Sequence, residues 1–297
     1  MSFVANPKLR AKLRGMRCLS TLTAVLVTAV LASCSAATAA DDGLAFVREG
    51  SATKKISRAA LAEACGVQKI TVEDPYYNRS KSYLACPLAN VLRVGFGDET
   101  GGLAALDIVF RASDGYARPS AGAIAIEAGG WLAFTDADRG TVAAPAWEPI
   151  DRRQVDPGPF YVVWTGAQQS DAKGYPWPYQ LVQIEIASLE KLYPHTVPGA
   201  APAGSPERAG YAIFKSQCIA CHSINGEGGK IGPDLNVPRS IVEYRPEAQI
   251  RQYVREPASF RYTSMPAHPG LTDGHLDSLI AYFRAMSGLK HDPGRPS

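Results

Sequence analysis

Cys218-Ile219-Ala220-Cys221-His222 is the stretch from which the rest of the chain can be read. Two thiols three residues apart, followed at once by an imidazole, form the attachment signature of c-type haem. Each residue has a chemical task. The spacing puts both sulfurs on one helical turn, where they can add across the two vinyl groups of a haem. His222 then falls beneath the iron as its proximal nitrogen ligand. A zinc site would need a second pair of ligands, and no such pair follows. A redox dithiol would sit between a strand and a helix, without this histidine. One motif implies one covalent haem.

Working outward, the chain of 297 residues has room for two domains. Its formal charge of +3 misleads, because five basic residues (Lys8, Arg10, Lys12, Arg14, Arg17) precede Cys34 with no acid among them. Without them 26 basic residues face 28 acidic ones. With no basic stripe and no aromatics interleaved with Lys or Arg, nucleic acid is not an expected partner. The basic start followed by the apolar run Leu19 to Leu31 has the shape of a signal peptide, too short to span a bilayer comfortably. Two cleavage readings compete. Leu31-Ala32-Ser33-Cys34 reads as a bacterial lipobox, with residues 1–33 removed and Cys34 acylated. Ala37-Thr38-Ala39 offers an ordinary signal-peptidase site instead. The lipoprotein reading is preferred, because Cys34 otherwise lacks a reason. Either way an exported, periplasmic protein is expected, held to the membrane by lipid in the first case.

Residues 41–195 carry mixed signals. Ser57 to Cys65 reads as a short helix with Ser57 as N-cap and Gly66 as stop. Cys86 to Leu92 reads as a second helix, with proline near its start. Val67 to Val72, Leu106 to Arg111, Ala123 to Glu127, Trp131 to Thr135, Phe160 to Thr165 and Leu181 to Ile186 read as strands. Together they indicate an α+β domain. Cys65 and Cys86 are the only other thiols after the leader. In an oxidising compartment they are a candidate disulfide, with two separately buried thiols as the alternative. Thr196 to Pro206 (TVPGAAPAGSP) reads as a semi-stiff tether.

Residues 207–290 resemble class I cytochrome c, and specifically so. Gly210 and Phe214 match the family's glycine and aromatic at the crossing of its N- and C-terminal helices; Tyr282 matches the aromatic of the C-terminal partner. That partner is expected from Asp273 to Met286, with Thr272 as N-cap and Gly288 as stop, and a further helix from Pro246 to Arg255. Ile231-Gly232-Pro233-Asp234-Leu235 resembles the loop whose proline carbonyl orients the haem histidine, a role the resemblance gives to Pro233. Arg261-Tyr262-Thr263-Ser264-Met265-Pro266 resembles the sixth-ligand loop and makes Met265 the axial thioether. His268 is the minority alternative; Met286 suits a core role, and His275 and His291 suit solvent. Histidine and thioether together fill both axial places, which implies single-electron transfer rather than substrate chemistry.

The region 41–195 resembles, more distantly, the molybdopterin-binding domain of the sulfite oxidase family. The likeness rests on Ala112-Ser113-Asp114-Gly115-Tyr116, Gly130-Trp131-Leu132-Ala133-Phe134, Gly158 to Trp164 and Pro176-Trp177-Pro178-Tyr179. The segment Thr71 to Tyr83 lacks the cysteine that would ligate molybdenum. The expectation is therefore a multidomain protein: a sulfite-oxidase-like α+β domain without its cofactor, then an all-α cytochrome domain. It would serve as an electron carrier or subunit whose partner is a dehydrogenase, an oxidase or another cytochrome. The alternative is a haem-containing, sulfite-oxidase-like enzyme.

Overall fold

The computed structural model describes residues 43–172 and 174–294; the leader, with Cys34 and both cleavage sites, lies outside the described residues. The described residues form one compact unit. Its first part comprises β1 (Leu44–Arg48), β2 (Ser51–Ile56), α1 (Arg58–Cys65), β3 (Gln68–Asp74), β4 (Arg79–Pro87) and α2 (Leu88–Phe96). It continues with β5 (Asp107–Ala112), β6 (Ala117–Ala121), α3 (Gly122–Ala125), β7 (Gly130–Asp136), β8 (Tyr161–Trp164), β9 (Leu181–Ala187) and α4 (Leu189–Leu192). One sheet has the order β2-β1-β9-β5-β6 and the other β3-β4-β7-β8. Both contribute to one apolar cluster, in which Phe46, Leu88, Phe110, Phe134, Phe160 and Ile184 are wholly buried.

Local chemistry explains most boundaries. The Ser57 side chain accepts from the Ala60 amide to cap α1, and Gly66 closes the helix at φ 79°. Cys65, at the end of α1, is joined to Cys86, near the end of β4, with Cα atoms 5.8 Å apart. Three expectations are corrected. Cys86 belongs to a strand, and its helix starts only at Leu88, with Pro87 as the N-cap. Ala123 to Glu127 is not a strand: the Gly122 amide bonds the Leu106 carbonyl, the Ile126 amide bonds back to Gly122, and a short helix closes the β6 edge instead. Thr196 to Pro206 does not hang free. Thr196 is wholly buried, its carbonyl accepts from Tyr282 Oη at 2.7 Å, and Arg208 donates to the carbonyls of Gly199 and Ala201.

The second part comprises α5 (Pro206–Gln217), the two-residue strands β10 (Ser223–Ile224) and β11 (Glu227–Gly228), α6 (Ile241–Tyr244), α7 (Glu247–Arg255) and α8 (Asp273–Ser287). Helix α5 crosses α8 at Gly210, where an added Cβ would lie 2.7 Å from Tyr282 Cβ. Phe214, Leu276, Leu279, Tyr282 and Phe283 are buried there. The same apolar cluster takes in Val109, Ala117, Leu189 and Tyr193 from the first part, so the two parts share a core. Backbone bonds seal the junction: the Ala117 amide donates to Ala220 at 3.0 Å and the Lys230 amide to Gly115 at 3.0 Å. Arg118 adds a bond to the Ser216 carbonyl at 2.9 Å.

Candidate haem site

The site starts where α5 ends. Ser205 caps the helix through the Arg208 amide, Pro206 occupies its first turn, and Cys218 is the C-cap. The turn then tightens: the amides of Cys221 and His222 both donate to the Cys218 carbonyl, at 3.1 and 2.9 Å. Both sulfurs are thereby held on one turn. Burial raises both thiols, Cys218 to about 12. A sulfur so desolvated suits an end state as an uncharged thioether.

The loop that follows doubles back over this turn. Gly229 donates to the Ile219 carbonyl at 2.8 Å and Gly232 to the Cys221 carbonyl at 2.7 Å. Gly232 must be glycine-sized, since a Cβ there would come within 2.6 Å of His222 Nδ1. The carboxylate of Asp234 stiffens the loop by accepting from the amides of Gly226, Asn236 and Val237. His222 Nδ1 lies 2.8 Å from the Pro233 carbonyl oxygen. A carbonyl only accepts, so Nδ1 carries the proton and Nε2 keeps its lone pair for a metal. Burial of the ring, opposed by that bond, holds the imidazole below its usual range and therefore neutral.

Cys218, Cys221, His222 and Pro233 line a cavity of about 630 Å³, and so do Met265 and His268. Met265 is placed by its amide bond to Thr263 Oγ1 at 3.1 Å, and His268 by its amide bond to Val254 at 3.1 Å. The other candidates for the sixth position lie elsewhere. Met286 is buried in the α5–α8 core, the His275 ring accepts from the Thr272 amide in a capping box, and His291 stacks on His195. The wall suits a haem in one further respect. Its charged groups are Arg245 and Arg261, with no carboxylate among its residues, which matches a ligand carrying two carboxylates of its own. Arg261 is oriented by the Tyr253 hydroxyl at 3.0 Å, and Arg245 packs over the Tyr244 ring.

Reading the sequence placed Gly232 and Arg261 within their loops without giving either a role, and passed over Arg245 and the Asn225-Gly226 turn. The turn was the findable one. Asn-Gly between short runs signals a tight hairpin, and both residues take positive φ here, 57° and 81°.

Comparison with known proteins agrees with the geometry. The cytochrome c family model matches residues 207–287. The chain is also similar to cytochrome c oxidase subunit 2 of Alkalihalophilus pseudofirmus, 28% identical over 126 residues, or 38% of this chain and 36% of that protein. The similarity thus spans about a third of the relative's length.

Proposed function

We propose, from the premise that residues 207–287 are a cytochrome c domain, that the protein is an exported monohaem electron carrier that works with a redox protein partner. The observation that carries this is a neutral His222, aimed by Pro233, in one cavity with both attachment cysteines. When bound, haem c supplies an iron that accepts and returns one electron. The chain's own part is to hold it. Cys218 and Cys221 would anchor it, His222 Nε2 would ligate it, and Arg245 and Arg261 would neutralise its carboxylates. Met265 would supply the second iron ligand, since a thioether favours the reduced metal and pairs with histidine in such proteins. The partner is a terminal oxidase, a dehydrogenase or another cytochrome; similarity to an oxidase subunit supports the first.

The leader reading stands with this proposal: haem attached through cysteines outside the cytoplasm, and Cys34 as a lipid anchor. A molybdenum enzyme is not favoured. In the first domain Cys65 and Cys86 are used up in their bridge, and the free cysteines among the described residues are Cys218 and Cys221. That leaves no thiolate there for the metal, so the residues do not fit that group.

Metal analysis and a reduced-minus-oxidised spectrum of the purified full-length protein test the reading. One iron per chain, a pigment that resists acid-acetone extraction and no molybdenum are expected. Extractable haem, or stoichiometric molybdenum, would sink it. Cys34→Ala should move the protein from the membrane to the soluble fraction.

A further inference from the structure

Two histidines take no part in the haem cavity and meet at the other end of the post-haem hairpin. The rings of His195 and His291 stack with centroids 3.7 Å apart and planes 5° from parallel. Glu227 on β11 holds His195 at both ends: Nδ1 lies 2.6 Å from Oε1, and the backbone amide donates to Oε2 at 2.8 Å. Around them the tail lies across the Asn225-Gly226 turn. Asn225 Nδ2 donates to the carbonyls of His195 and Leu289, and its Oδ1 accepts from the His291 amide. Pro293 packs against Gly226.

We propose that His195, His291 and Glu227 form a pH-operated clasp that fastens residues 289–293 over this turn, closed while the imidazole pair carries one proton or none, and opened when it carries two. The inference does not depend on the haem. One proton suits the arrangement: an imidazolium on His195 is paired with Glu227 and stacks on a neutral ring. A second puts like charges 3.7 Å apart with one carboxylate, Glu227, bonded to the pair. The other carboxylates of this region are tied to partners of their own rather than to the rings. Asp234 is engaged by the amides of the 226–237 loop, Asp292 by the Gly294 amide, and Glu243 by Lys290. Lys290 is neutralised in that same pair, and burial keeps the nearby Tyr193 a neutral phenol. The His195 side chain is 44% exposed, so a released ring passes into water. Opening is local, because the Tyr282–Thr196 bond holds the junction with no titrating partner.

Hydrogen exchange of the full-length haem-loaded protein, corrected for intrinsic rates and followed from about pH 8 to pH 5 across the imidazole range, tests this. Peptides covering 289–293 should lose protection about sevenfold, the Coulomb cost of two charges at that spacing in water. His291→Phe keeps a stacking ring without the second charge and should stay protected throughout, as should His195→Phe if the first variant fails to fold. Glu227→Gln should open at higher pH than the parent. Protection that does not change with pH, or acid loosening that persists in the phenylalanine variant, would overturn the clasp. The haem spectrum, expected to be the same at both pH extremes, reports separately on the cytochrome site.

Discussion

At the scale of single residues, function turns on small atoms in confined places. Met265 and His268 both reach the cavity, so the sixth ligand is decided by substitution. Met265→Ala should let carbon monoxide bind the reduced protein and lower the midpoint potential by on the order of a tenth of a volt; His268→Ala should do neither. A carbon monoxide difference spectrum and a redox titration check both. Gly232→Ala tests the other axial side. Its methyl would crowd the His222 ring and push Nδ1 from the Pro233 carbonyl. Losing that bond weakens the imidazole as a donor. The potential should therefore rise, with haem still covalently attached on a denaturing gel. The sequence showed Cys218, Cys221 and His222 because their spacing is itself the chemistry. It could not show Gly232, whose need for smallness exists only once the loop has folded back over the histidine.

At the scale of elements, two contacts govern stability. Gly210 lets α5 approach α8 to backbone distance, and Gly210→Ala would force a Cβ to within 2.6 Å of the Ser278 carbonyl carbon. Overpacking of this kind costs about 1–3 kcal/mol, read as a lower denaturant midpoint for unfolding. In the first domain, the β4 strand buries Lys81 against Asp136 and Glu148. Hydrogen bonds from Lys81 and then Arg79 pull Glu148 down to about 2. A carboxylate depressed in the folded state adds stability above its ordinary value of 4.5 and loses it as pH falls toward about 2. Glu148→Gln should therefore remove stability at neutral pH and flatten the acid limb of an unfolding profile between those values. Lys81 also explains why β4 was missed. A lysine at an inward position breaks the alternation by which a strand is recognised, while β2 escaped notice because nearly all its residues face solvent.

At the scale of the whole molecule, the two parts of the chain are one body rather than beads on a string. A shared apolar cluster and the 117–220, 118–216 and 115–230 bonds tie the haem-attachment segment to the first domain. Limited proteolysis should accordingly spare residues 196–206. Arg208→Ala, which removes the bonds to Gly199 and Ala201, should speed cleavage there several-fold. The chemistry of attachment and the caps of α1 and α8 were written locally, in spacings that hydrogen bonding and covalent reach can satisfy, while the helix crossing followed from resemblance to a family. The pairing of Cys65 with Cys86, the placing of Met265 and His268 in the cavity and of Met286 in the core, and the burial of Thr196 were settled only by the tertiary structure. Each depends on groups far apart in the chain arriving at the same place, and short-range pattern holds no measure of that distance.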